Sequence, residues 1–101
     1  MNNGIMEDKF YIIDLYDYYS ELLTDKQRKY FEDYYFNNLT LSEIAENNNI
    51  SRNAIHKQLK EVVNKIMIYE EKLKLYNKRI KIVQIIEKLD KKIKEEIEEL
   101  I

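Results

Sequence analysis

The chain has 101 residues, enough for one compact domain and too few for two ordinary ones. Gly4 is its single glycine and it has no proline or cysteine, which disfavours a sheet-rich fold and removes disulfides, thiolate catalysis and thiolate metal sites. A net charge of −2 argues against a bulk basic coat for nucleic acid, and no apolar run approaches a membrane span or signal-peptide core; a soluble, cytoplasmic protein with no membrane partner is expected.

The first helix is expected from about Asp8 to Leu23, with Ile12, Leu15, Tyr16, Tyr19, Leu22 and Leu23 on one face. Thr24 stops it, and the Thr24/Gln27 spacing is that of a capping box, each side chain satisfying the other's backbone N–H. The second helix covers about Asp25 to Phe36, with Phe31, Tyr34 and Tyr35 inward, and Asn37-Asn38 ends it because asparagine tolerates the left-handed conformation. A second capping box, Thr40/Glu43, opens a very short helix holding Leu41, Ile44 and Ala45, closed by Asn47-Asn48-Asn49. Ser51 is a strong N-cap for the next helix, which carries Ile55, Leu59, Val62, Val63 and Ile66 and meets no breaker before Tyr76. The last segment, Lys78 to Ile101, reads as one helix with a narrow stripe of Ile82, Ile86, Leu89, Ile93, Ile97 and Leu100. The charge pairs Glu87–Lys91, Lys91–Glu95 and Lys94–Glu98 sit outside it. Whether a bend near Asn77 separates the last two helices is left open. The fold class is all-α, with a central helix-turn-helix and a long C-terminal helix. Residues 1–78 form the helix-turn-helix domain and 79–101 an amphipathic helix for dimerisation or partner binding.

Charge is unevenly distributed. Glu7, Asp8, Asp14, Asp17 and Glu21 face Lys9 alone, whereas Arg52, Lys57, Lys60 and Lys65 face only Glu61, and Lys72 to Lys81 extends the basic run. The segment Leu41 to Lys60 has the grammar of a helix-turn-helix: a small residue, Ala45, at the near-contact point, Asn49 for a positive φ, and Ile44, Ile50, Ile55 and Leu59 to fix the crossing. This leaves Ser51, Arg52, Asn53, His56, Lys57 and Lys60 outward on the second motif helix, which in DNA-binding relatives of the motif enters the major groove. Arg52 suits guanine and Asn53 adenine, while Lys57, Lys60, Lys26 and Arg28 suit phosphates. A merely solvated helix face would present the same residues; the agreement of caps, small residue and apolar positions favours nucleic-acid contact.

The stretch Leu15-Tyr16-Asp17-Tyr18-Tyr19-Ser20-Glu21-Leu22-Leu23-Thr24-Asp25-Lys26-Gln27-Arg28 resembles the opening of the YlxM family of small bacterial proteins. So do Leu41-Ser42-Glu43-Ile44-Ala45-Glu46, Ile50-Ser51-Arg52-Asn53-Ala54-Ile55 and Tyr69-Glu70-Glu71-Lys72-Leu73-Lys74-Leu75-Tyr76. The resemblance spans about residues 10–78, and the central unit is similar to region 4 of bacterial sigma factors. It implies a sigma-region-4-like helical bundle and a regulatory role near the signal recognition particle pathway. The family's apolar residue and glycine in the turn are replaced by Asn48 and Asn49, which suggests a looser turn.

The nine tyrosines could stack on bases, but their helical spacing favours core packing. His56, the single histidine, has no partners for a metal site. With no glycine-rich phosphate loop, metal-ligand cluster or nucleophile–base pair, neither catalysis nor a cofactor is expected. The stripe from Ile82 to Leu100 is core, dimer seam or partner site; a dimer seam is favoured, because a lone helix leaves such a stripe in water at a cost. The leading reading is a non-enzymatic regulator, a homodimer that binds DNA or structured RNA. The alternative is an adaptor for a signal recognition particle GTPase that does not touch nucleic acid.

Overall fold

The computed structural model describes residues 8–101, so Gly4 and Glu7 lie outside the described residues. Within them the chain is all-helical: α1 (Lys9–Tyr19), a 3₁₀ turn (Ser20–Leu22), α2 (Asp25–Tyr35), α3 (Leu41–Asn48), α4 (Arg52–Leu73), α5 (Leu75–Ile86) and α6 (Lys91–Leu100). The core lies where α1, α2 and α3 pack around α4. Ile12, Leu15, Tyr16 and Tyr19 come from α1, Tyr30, Phe31 and Tyr35 from α2, Ile44 and Ala45 from α3, and Ile55, Leu59, Val62 and Ile66 from α4. Phe31 sits between two rings, stacked on Tyr16 at 4.1 Å and on Tyr35 at 4.3 Å. Four of the nine tyrosines are buried in the core and the other five are half-buried against it, so all nine contribute to packing.

Both capping boxes form. Thr24 Oγ1 accepts from the Gln27 N–H while Gln27 accepts from Thr24, and Thr40 and Glu43 do the same for α3. Asp8 caps α1 by accepting from the Tyr11 N–H. That helix stops earlier than its apolar spacing suggests. After Tyr19 the chain tightens into the 3₁₀ turn, which swings Leu22 out to solvent and returns Leu23 to the core. The Arg28 guanidinium closes this end, donating to the carbonyls of Ser20 (3.0 Å) and Leu23 (2.7 Å).

The largest departure from the expected layout is at the C-terminal end. The fourth helix does not reach Tyr76 and the last segment is not one long helix. Lys74 adopts φ 58°, its N–H donating to the Glu70 carbonyl, and α5 begins at the next residue. The first amides of α5 have no local cap and take one from the core instead. The Glu70 carboxylate accepts from the N–H groups of Tyr76 (3.2 Å) and Asn77 (3.0 Å), and the Tyr19 hydroxyl accepts from Leu75 while donating to Glu70 at 2.5 Å. Glu70 is thus a buried carboxylate with its hydrogen bonds filled. A second break follows Ile86, and Asp90 caps α6 by accepting from Lys92 and Ile93. The helix α6 folds back along α5: Lys94 pairs with Glu87 at 3.0 Å, and Arg79 donates to the Ile101 carbonyl at 2.7 Å. The expected Glu87–Lys91 pair within one helix is replaced by this pairing across the break.

The six stripe residues therefore lie on two arms of a hairpin. Ile82 and Ile86 belong to α5, Leu89 to the break, and Ile93, Ile97 and Leu100 to α6. Ile86 is buried inside the chain, Ile82 and Ile97 are half-buried, and Leu89, Ile93 and Leu100 are exposed. A single straight seam is thereby replaced by a folded one, because the Asp90 cap starts a new helix and reverses the chain.

Candidate nucleic-acid interface

The interface is built around the turn between α3 and α4. Ala45 is buried at the contact of the two helices, with only 5% of its surface exposed, where a larger side chain would hold the backbones apart. The turn is tight although it lacks glycine. Asn49 takes φ 55°, its N–H donating to the Glu46 carbonyl, and the Ile50 N–H donates to the Ala45 carbonyl at 3.1 Å. Those two bonds are the Schellman pattern. The Asn48 side-chain amide adds a bond to the Ile44 carbonyl at 2.7 Å, so both asparagines work in closing the turn. The looser turn expected from the Asn48-Asn49 pair is not found. Ile50, expected in the crossing core, is exposed at the rim, and Ile44, Ile55 and Leu59 hold the angle without it.

The Ser51 hydroxyl accepts from the Ala54 N–H at 3.1 Å and starts α4 sharply. With Ile55 and Leu59 fully buried, helical spacing turns Arg52, Asn53, Lys57 and Lys60 to the opposite side, where all four are exposed, as is Ser51; His56 is half-buried. Among the described residues no carboxylate is ion-paired to Arg52, Lys57 or Lys60. The exposed face continues into a groove of about 540 Å³ lined by His56, Lys57, Lys60, Glu61, Val63, Asn64 and Met67. A shaped, cationic, solvated ridge of this kind suits groups that carry negative charge and present hydrogen-bond acceptors.

The two α2 positions differ. Lys26 is exposed in the first turn of α2. Arg28, in contrast, is only partly exposed and already hydrogen-bonded to Ser20, Leu23 and the Asp25 carboxylate. Its sequence signal, a cation near a helix start, does not distinguish a phosphate ligand from a cap on the preceding turn. Sequence reasoning overlooked Lys9, which comes close to the start of α4: the two elements meet around a cleft that Lys9 and Arg52 both line. Nothing local could have announced that neighbourhood, since the two residues are far apart in the chain.

Comparison with known proteins agrees with this geometry. A family model described as "Putative helix-turn-helix protein, YlxM / p13 like" (UPF0122) matches residues 6–101. A UPF0122 protein of Malacoplasma penetrans is 47% identical over 92 residues, covering 85% of this chain and 86% of its own length. One from Fusobacterium nucleatum is 47% identical over 72 residues, covering 71% of this chain and 70% of its own. One from Caldanaerobacter subterraneus is 46% identical over 85 residues, covering 83% and 73% respectively.

Proposed function

The chain belongs to the UPF0122 family of YlxM / p13-like helix-turn-helix proteins, and from that premise we propose that it is a non-enzymatic, nucleic-acid-binding regulatory protein. The observation that carries the reading is the outward cationic side of α4, with Arg52, Lys57 and Lys60 exposed behind a well-formed turn. Arg52 and Asn53, in the first turn, read base edges, and Lys57, Lys60 and Lys26 take phosphates. The target is duplex DNA or structured RNA. Two copies associate through the apolar α5–α6 hairpin, which doubles the contact surface.

Titration of labelled duplex DNA and structured RNA at two salt concentrations tests the proposal. Three or four phosphate contacts give a slope of log K against log salt of roughly −3 to −4 for duplex DNA. Substituting Arg52→Ala together with Lys57→Ala weakens binding by about 1–3 kcal/mol or more. Absence of binding to either nucleic acid at low salt, by folded protein, contradicts it.

The exposed apolar residues of α5 and α6 favour one second reading, a protein–protein adaptor, with the signal recognition particle GTPase as the candidate partner. A pull-down with the purified GTPase separates the two readings. Capture that survives Arg52→Ala with Lys57→Ala favours the adaptor.

A further inference from the structure

The last helix, α6, reads Lys91-Lys92-Ile93-Lys94-Glu95-Glu96-Ile97-Glu98-Glu99-Leu100. Its lysines fill the first half and its glutamates the second. That order opposes the helix dipole, which favours anions at the start and cations at the end. It also puts Lys ahead of Glu at i,i+4, the weaker order for pairing within one helix. Among the described residues, neither Lys91, Lys92 nor any glutamate of α6 forms an ion pair; Lys94 alone does, with Glu87. A helix this short is marginal by itself in water, and this one keeps Ile93 44% and Leu100 85% exposed. The pattern has a symmetry that a single helix cannot use. Counted outward from Glu95, each lysine is matched by a glutamate and each isoleucine by an isoleucine: Lys94 by Glu96, Ile93 by Ile97, Lys92 by Glu98 and Lys91 by Glu99. Helical spacing sets Ile93, Ile97 and Leu100 on one face and Glu95 behind it, with Lys92, Glu96 and Glu99 along one edge. The other edge is turned to α5, where Lys94 meets Glu87. Two such helices laid face to face and antiparallel, Ile93 on Ile97, bring the lysine end of each over the glutamate end of the other. On the open edge Lys92 then lies beside Glu99 of the second copy. Laid parallel, the two helices set lysine against lysine and glutamate against glutamate.

We infer that α6 is the docking surface for a second copy of this chain, pairing antiparallel with the α6 of that copy about a twofold axis level with Glu95. The inference rests on the association through α5–α6 proposed above and supplies its orientation and register. The pairing is isologous, so each charge match occurs twice. It also sets Leu100 of each copy level with the break before Asp90 of the other, where the exposed Leu89 stands, so the open apolar residues of both copies are covered.

Sedimentation equilibrium of the full chain and two charge-reversed variants tests the pairing. Lys91→Glu with Lys92→Glu reverses one end, sets acid against acid in the antiparallel dimer, and should raise its dissociation constant about tenfold or more. Adding Glu98→Lys and Glu99→Lys reverses both ends and should return the constant to within about threefold of the original. The fully reversed helix follows the order that its dipole favours, so unfolding of α6 does not account for a failure to pair. In a parallel dimer, reversing one end leaves like charge facing like and changes little. Association unchanged by the first variant, or not recovered in the second, overturns the antiparallel pairing while the unaltered protein remains a dimer. A monomer at tens of micromolar in the unaltered protein overturns the pairing together with the dimer. Nucleic-acid binding is untouched by either result.

Discussion

Among the described residues three non-glycine positions, Asn38, Asn49 and Lys74, hold positive φ; Asn49 and Lys74 end α3 and α4, and Asn38 lies in the loop that follows α2. The two asparagines suit the position, because asparagine enters the left-handed region at less cost than residues with larger side chains. Lys74 has no such compensation; its carbon stem meets the ordinary steric cost of that region, about 1–2 kcal/mol. It persists because the backbone there is held by its neighbours, through the Glu70 carbonyl on one side and the Tyr19 and Glu70 side chains on the other. Lys74→Gly is therefore expected to raise the free energy of unfolding by roughly 1 kcal/mol, after allowance for the greater freedom of glycine in the unfolded chain. Urea denaturation measures it, and a loss of stability would mean that the lysine side chain contributes to the junction. The same scale explains why Arg28 was misleading in the sequence. A cation one turn into a helix looks available, yet the carbonyls it caps belong to the turn before it.

Between elements, the decisive contacts are polar ones that bridge long stretches of chain. Tyr19 and Glu70 are 51 residues apart and together cap α5. Burial, then the hydrogen bond to Glu70, pushes the Tyr19 phenol up to about 12. Tyr16 is raised in the same direction by burial and by its bond to Glu32. The neutral phenol is the form the fold prefers, so its contribution is whole below the ordinary tyrosine value of 10 and is lost as pH climbs through about 12. Alkaline titration should show tyrosinate absorbance and loss of helical circular dichroism rising together across that window. Tyrosinate formed with the helices intact would contradict it. This junction also marks the limit of what the sequence disclosed. Both capping boxes, the Ser51 cap and the left-handed asparagines were legible because each signal spans about three residues. The break at Lys74 was not, since no glycine, proline or asparagine stands there and its cap joins Glu70, on the preceding helix, with Tyr19 from the distant first helix. The Asp90 cap was written locally, but the continuous apolar stripe and the charge spacing pointed to an unbroken helix.

At the scale of the whole molecule the shape is elongated, 54 × 25 × 21 Å, with a radius of gyration of 16.8 Å. A compact domain of this length would have a radius near 13 Å, so part of the chain projects from the bundle. The described contacts make that part the α5–α6 hairpin, since α6 packs chiefly on α5. Its exposed Ile85, Leu89, Ile93 and Leu100 offer apolar surface that association would cover. Light scattering at tens of micromolar should give twice the chain mass of 12.4 kDa, and Ile93→Asp should return it to the single value; a monomer in the unaltered protein would remove the dimer from the proposed function.

The outward side of α4 remains the feature on which function turns. Hydrogen–deuterium exchange of the full chain with bound duplex DNA or structured RNA locates the nucleic acid directly. Protection gathered on residues 51–60 is expected, fading with added salt. Protection confined to α5 and α6, with residues 51–60 exchanging as in the free protein, would contradict it.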